Sequence, residues 1–199
     1  MLLSSFGSGK IECGLDEAGR GCLAGPVVAA GVILPDGYQN EMLNDSKKLS
    51  AKKRELLRGV IEKDALAYFV AEVSHQEIDK INILNASFLA MHRCIDQMEI
   101  KPELLLIDGN RFNPYQGITH ECIIKGDGKY ASIAAASVLA KTYRDELMTN
   151  LAKTYPHYGW EKNAGYPTKA HRDAIRVHGS TPFHRNSFKL LPEQTSLPF

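Results

Sequence analysis

Little in this chain is in excess. Its 199 residues carry 24 Lys and Arg against 23 Asp and Glu, so bulk charge selects no partner. Only four cysteines are present, Cys13, Cys22, Cys94 and Cys122, with no CxxC and no His/Cys cluster at zinc spacing. Cys13 and Cys122 fall in apolar, strand-like runs and read as core residues. That usage suits a reducing, cytoplasmic setting. No apolar run is long enough to cross a membrane. The opening MLLSSFGSGK has no basic region before its very short apolar run, so no signal peptide is expected. The glycines form neither GxxxxGK[ST] nor a strict GxGxxG, which removes the two common nucleotide cradles. There is no internal repeat and no low-complexity segment.

What is present supports a buried core: hydrophobic residues make up 44% of the chain and charged residues 24%, ordinary proportions for a globular protein. The length predicts one domain overall. Charge is uneven along the chain. From Lys141 to Lys189 there are nine Lys/Arg against four Asp/Glu, while the remainder has 15 against 19. A basic C-terminal quarter hints at a polyanionic partner, although a solvated basic face fits the charge count as well.

The stretch Ile11 to Pro26, IECGLDEAGRGCLAGP, organises the rest. Ile11, Cys13 and Leu15 alternate with Glu12, Gly14 and Asp16, the period of a half-buried strand ending near Asp16. Asp16 and Glu17 then stand side by side and repel each other unless a cation lies between them. Gly19, Gly21 and Gly25 follow, with Arg20 among them, and glycines let backbone approach a ligand closely. Taken alone, the stretch reads equally well as a structural turn.

The remaining pattern alternates strands and helices. Residues 1–9 read as a loose tail. Val27 to Leu34, between Pro26 and Pro35, is a second strand, able to pair with the first as a wide hairpin. Ser50 caps a helix from Ala51 to about Lys63, and Leu66 to Val73 is a third strand. Ser74 caps a short helix to Lys80, and a longer helix runs from about Leu84 to Met98. Glu103 to Asp108 is a nearly continuous apolar run, the mark of a strand covered on both faces, and it stops on a carboxylate. Ile118 to Ile124 is a further strand, leading to Asp127 just before a long helix from Tyr130 to about Tyr155. Small residues over 131–137 allow that helix to pack closely on a sheet. Its expected inner face is Ile133, Ala136, Ala140, Tyr143, Leu147 and Leu151. Thr168 caps a last helix ending at Gly179.

Strands alternating with helices predict an α/β fold with a mixed sheet. Asp16, Glu17, Asp108 and Asp127 then fall at strand ends or just before a helix, where adjacent central strands would gather them. Four such carboxylates stay ionised only with divalent cations. All-oxygen ligands select Mg²⁺ or Mn²⁺. Two such ions roughly 4 Å apart clamp the attacking water and leaving oxygen of a phosphodiester.

The motifs DEAGRG, LAGPVVAAGVIL, DSKKLS, LLLIDG, KGDGKYASIAAASVLAKTYRD, GYPTKAHRDAI and HGSTPFHRNSF occur in this order between about Ile11 and Phe188. Together they closely resemble bacterial ribonuclease HII, a type 2 ribonuclease H. The resemblance implies a ribonuclease-H-like fold: a central mixed β-sheet flanked by helices, with a helical C-terminal extension. It divides the chain into a catalytic core, 1–155, and an extension, 156–199, that contributes to substrate binding. Removing the chain after Tyr155 is expected to leave the sheet core intact. The implied activity is endonucleolytic hydrolysis of the RNA strand of RNA–DNA hybrids, and incision at ribonucleotides embedded in duplex DNA, leaving 5′-phosphate and 3′-hydroxyl ends. No membrane partner is implied, and a monomer is expected.

By the same resemblance, the metal-binding acids fall on Asp16, Glu17, Asp108 and Asp127. The element that reads a 2′-hydroxyl falls on Gly19, Arg20 and Gly21, and the tyrosine of the glycine-tyrosine motif on Tyr166. Many members have proline where this chain has Cys22, and glycine where it has Pro167, which bears on loop stiffness and changes no acid. Other residues keep two readings. Lys47 and Lys48 touch phosphate or belong to a solvated loop. Asp145 supports the metal site or pairs with Arg144 or Lys141 on the helix surface. Tyr166 reads the sugar or anchors the Gly165–Pro167 turn. His171, His178 and His184 lack compact metal spacing. A catalytically inactive binding module of the same fold would be marked by a lost acid, and a small-molecule phosphatase would not need the basic, aromatic C-terminal quarter.

Overall fold

The computed structural model describes residues 1–43 and 49–192. Five strands form one sheet in the order β3-β2-β1-β4-β5. They are β1 (Glu12–Ala18), β2 (Val27–Ile33), β3 (Ala67–Val73), β4 (Leu104–Asp108) and β5 (Thr119–Ile123). β1 pairs antiparallel with β2, as the wide hairpin predicts, and β2 antiparallel with β3. β1 and β4, and β4 and β5, run parallel. The sheet is therefore mixed, with β1 at its centre.

The helices are α1 (Ala51–Asp64), α2 (His75–Ile81), α3 (Ile83–Gln97), α4 (Ala131–Thr154), α5 (Trp160–Asn163) and α6 (Lys169–His178). Ser50, Ser74 and Thr168 cap α1, α2 and α6 through their hydroxyls, where the sequence places them. At Ser74 the cap is a full capping box with Glu77.

α3 covers one face of the sheet, burying Phe88, Met91, Cys94 and Ile95 against Cys13, Leu15, Leu105 and Ile107. α4 covers the other face, with α1 outside it. Hence β1 is buried on both faces rather than one, and it continues past Asp16 to Ala18. The contact with α4 is very close. A Cβ on Gly14 would lie 2.3 Å from the backbone of Ser132, so glycine on β1 and small residues on α4 are a matched pair.

Two expectations change here. The first residues are tied down: Leu3 N–H donates to Lys129 (2.8 Å), and Leu3 C=O accepts from Ala131 N–H (2.9 Å) at the start of α4. That helix has no side-chain cap, and Leu3 supplies the missing acceptor. Cys122 is only half-buried, because β5 is an edge strand, while Cys13 is fully buried.

The inner face of α4 also differs in its second half. Arg144, Met148 and Ala152 are buried, while Leu147 is 37% exposed. Met148 and Ala152 join Leu23, Tyr158, Trp160 and Ile175 in a separate hydrophobic cluster. The residues after Tyr155 thus share a core with α4 and with the segment after β1.

Candidate active site

The register sets Leu15 opposite Ile107, so the next residues, Asp16 and Asp108, lie side by side on the two central parallel strands. Asp127 enters from a one-turn helix, Gly126–Gly128, that follows β5. Carboxylate oxygens of Asp16, Asp108 and Asp127 all lie within 4.8 Å of one another. Asp16 and Asp127 are buried, and Asp108 is partly so.

The local contacts explain how the three are aimed. Gly126 N–H donates to Asp108 Oδ1 at 2.7 Å, linking the end of β4 to the Asp127 turn. Glu17 N–H donates to Asp16 Oδ1 at 2.6 Å. Burial pushes the Asp16 carboxyl well above the usual carboxylate range, and the charges of Glu17 and Asp108 push it further. The backbone bond from Glu17 and a bond from the Ser137 hydroxyl act in the opposite sense. Three carboxyls with all-oxygen donors, one of them strongly disfavoured as an anion, form a set that a hard divalent cation would satisfy.

Glu17 follows a different course. Successive side chains on a strand point to opposite faces, and Glu17 ends 3.2 Å from the Arg20 guanidinium. It still lines the same cleft, a cavity of about 280 Å³ bordered by Asp16, Asp108, Gly19–Gly21, Ser137, Lys141 and Tyr166. The cleft is therefore bordered both by the glycine loop and by Tyr166, from the segment after α5, and Leu23 N–H joins the two segments by donating to Gly165 C=O at 2.8 Å. Gly19 has φ +100°, and a Cβ there would sit 2.0 Å from Arg144 Nε. Its glycine is demanded from within by the arginine packed beneath it. Gly21, by contrast, faces open space.

The family model for Ribonuclease HII matches residues 13–191. The Ribonuclease HII of Parabacteroides distasonis is 65% identical over 199 residues, covering all of both chains. The chain belongs to the ribonuclease HII family. Members are RNase H endonucleases, hydrolases of nucleic acid, and the acid cluster fits a metal-dependent nuclease site. Among solved structures, the ribonuclease H2 from Pyrococcus horikoshii OT3 is similar at TM-score 0.75 and 25% identity, covering 90% of this chain and 94% of that one. The RNase HII in a PCNA:RNase HII complex from Archaeoglobus fulgidus is similar at TM-score 0.72 and 26% identity, covering 93% and 98%. The fold is accordingly ribonuclease-H-like, as the resemblance implies.

The other candidate residues sort as follows. Lys47, with Lys48, lies outside the described residues. Asp145 pairs with Lys141 at 2.6 Å, and Arg54 lies 3.8 Å away. Arg144 is not its partner: that guanidinium is buried and donates to the carbonyls of Ala24, Pro26 and Ala164. His171 and His184 are buried in a hydrogen-bonded cluster, and His178 is exposed. Sequence reasoning missed Ser137 and Lys141 as residues of the cleft. The signal was there: Ser137, Lys141 and Asp145 recur every four positions, one polar stripe along a helix of small residues. Lys141 Nζ also lies 5.5 Å from the centre of the Tyr166 ring.

Proposed function

We propose that the chain hydrolyses the RNA strand of RNA–DNA hybrids and incises duplex DNA at embedded ribonucleotides, with Mg²⁺ or Mn²⁺ held by Asp16, Glu17, Asp108 and Asp127. The convergence of the Asp16, Asp108 and Asp127 oxygens within 4.8 Å, in a cleft bordered by the glycine loop and Tyr166, carries this reading. A pair of divalent cations bound there would activate the water and stabilise the leaving oxygen.

The chain's own residues hold and aim. Asp16 and Asp108, on adjacent strands buried by α3 and α4, form a rigid base for the site. The Ser137 hydroxyl and Gly126 N–H hold two of the carboxylates in orientation. Gly19, Arg20 and Gly21 present backbone to the ribonucleotide. Tyr166 packs on the sugar of the following nucleotide, where a second 2′-hydroxyl would crowd it. A site built to hydrogen-bond a hydroxyl rejects the analogue without it by about 10⁴-fold, since its own groups are left unpaired. The position of Tyr166 on the cleft also supports reading residues 156–199 as contributing to substrate binding.

The test is cleavage of a DNA duplex containing one ribonucleotide, with Mg²⁺, with Mn²⁺ and with chelator. The expected result is one incision at the ribonucleotide, dependent on cation, leaving 5′-phosphate and 3′-hydroxyl ends. Attack by the ribonucleotide's own 2′-hydroxyl would instead leave a cyclic phosphate and a 5′-hydroxyl. Those ends, or cleavage in chelator, would refute the proposal.

A further inference from the structure

Two neighbouring residues far along the chain connect to two elements that border the cleft, the glycine loop and Tyr166. His184 and Arg185 are fully buried, in a segment that pairs with residues 23–25 behind the glycine loop. Ala24 bridges His184 antiparallel, Gly25 N–H donates to Phe183 (2.9 Å), and Arg185 N–H donates to Leu23 (2.8 Å).

From there the two side chains diverge. The Arg185 guanidinium donates to three carbonyls of the glycine loop: Arg20 at 3.0 Å, Gly25 at 3.0 Å and Pro26 at 3.1 Å. The acceptors are all main chain, so the bonds fix the course of the loop itself rather than a side chain on it. Burial and the neighbouring Arg144 lower its pKa to about 10, so it remains a cation at neutral pH.

His184 reaches Tyr166 through a second ring. Its Nδ1 accepts from Thr181 N–H at 2.9 Å, which leaves the ring proton on Nε2. Nε2 faces His171 Nε2 at 3.2 Å. His171 Nδ1 lies 2.9 Å from the Tyr166 carbonyl, an acceptor, so Nδ1 carries the proton and His171 Nε2 is free to accept. Its one lone pair is shared between His184 Nε2–H and Trp160 Nε1–H, the latter at 3.0 Å. The relay ends on the backbone of Tyr166, whose carbonyl also takes Thr168 N–H at 2.8 Å.

We propose that His171, His184 and Arg185 are positioning residues for ribonucleotide recognition: the His184–Arg185 pair sets the distance between the Gly19–Gly21 backbone and Tyr166. The inference rests on reading those two elements as the ribonucleotide reader. It places the specificity of the site partly in three buried side chains that touch no substrate. Misplacing such an element by about 1 Å costs on the order of 100-fold in rate.

The readout is a ratio: single-turnover cleavage of a DNA duplex with one ribonucleotide, divided by cleavage of a hybrid with a continuous RNA strand. The continuous strand has no junction for Tyr166 to read. A structural defect lowers both rates with the folded fraction and leaves the ratio unchanged. Four variants are compared with the parent: Tyr166→Ala, His171→Phe, His171→Asn and Arg185→Lys. Tyr166→Ala should lower the ratio by at least about ten-fold. His171→Phe, which removes the bond to the Tyr166 carbonyl, should lower it by a similar factor. His171→Asn, which keeps an N–H near the Nδ1 position, should fall between Phe and the parent. Arg185→Lys keeps the charge, loses the three-point fork, and should lower the ratio too. If His171→Phe does not fold, the Asn and Lys variants carry the test.

A lowered ratio for Tyr166→Ala with unchanged ratios for the His171 and Arg185 variants would overturn the positioning role and leave the reader standing. An unchanged ratio for Tyr166→Ala would overturn the reader itself, and the positioning role with it.

Discussion

Asp16 and Glu17 are adjacent in the chain but are not equivalent in space. The strand sends their side chains to opposite faces, so Asp16 meets Asp108 and Asp127 while Glu17 meets Arg20. Asp108 is the best placed of the acids to test singly. It ends a strand whose other four residues are buried, and Gly126 N–H holds one of its oxygens at 2.7 Å. Asp108→Asn keeps the shape and most of these contacts but removes the charge that attracts a cation. Outer-shell partners of metal ligands typically cost 10- to 100-fold when lost, so loss of Asp108, proposed to bind the cation directly, should cost more than about 100-fold in cleavage. Duplex binding should persist. Single-turnover cleavage together with a binding titration measures both, and an Asn variant that cuts at the parent rate in Mg²⁺ would dismiss the carboxylate site.

Among the elements, α4 has two different neighbours along its length. Its first ten residues, 131–140, are all buried, most of them between the sheet and α1. Most are small, which permits the approach but carries little information about helix phase. Beyond Ala140 the helix turns a further stripe, Arg144, Met148 and Ala152, toward the glycine loop and α5. The apolar periodicity took in Leu147 and passed over Arg144 because an arginine does not look like a core residue, while Tyr143 and Leu151 are half-buried against the neighbouring clusters. The two faces make opposite predictions for stability. Met148 is fully buried, so Met148→Ala should cost about 2–5 kcal/mol. Leu147→Ala, on the open side, should stay within about 0.5 kcal/mol. Urea denaturation of the two variants decides the phase, and a larger loss at Leu147 would place the inner face where the periodicity alone puts it.

Over the whole molecule, the segment after Tyr155 is bound into the rest of the chain. Trp160, Tyr158 and Ile175 complete a cluster with Leu23, Ala24 and Met148, and Ala164 supplies a carbonyl to buried Arg144. Stopping the chain after Tyr155 would expose that cluster and leave a buried cation short of an acceptor, so the sheet core should not survive as a cooperative unit. The expected melting profile is broad and shifted well down. A truncated chain that melts cooperatively at the full-length temperature would restore the simpler picture of an appended extension.

The charge count also changes in three dimensions. Of the nine basic residues from Lys141 to Lys189, Arg144 and Arg185 are fully buried against carbonyls. Seven remain to face solvent against four acids, an excess of three rather than five. Lys162 and Lys169 are exposed, so each is a direct candidate for phosphate contact. Replacing either with Ala should flatten the slope of log affinity against log salt by about 0.9. Salt titrations of both variants measure it, and unchanged slopes would remove the basic quarter from the substrate path.

The strands, the caps and the three converging acids, Asp16, Asp108 and Asp127, were legible in the chain because each rests on local chemistry: alternation over a few residues, a hydroxyl before a helix, a carboxylate where a strand stops or a helix is about to start. Family motifs suggested roles that local chemistry leaves open. The tertiary structure decided which of those residues meet. Parallel pairing of β1 with β4 brought Asp16 beside Asp108 across a gap of more than ninety residues. The packing of α4 on Gly14 placed Ser137 over Asp16. The burial of Arg144, His171, His184 and Arg185 behind the cleft was invisible in sequence, since polar residues read as surface until their acceptors are known. Those acceptors are backbone carbonyls of segments distant in the chain, and only the folded chain brings them within hydrogen-bond reach.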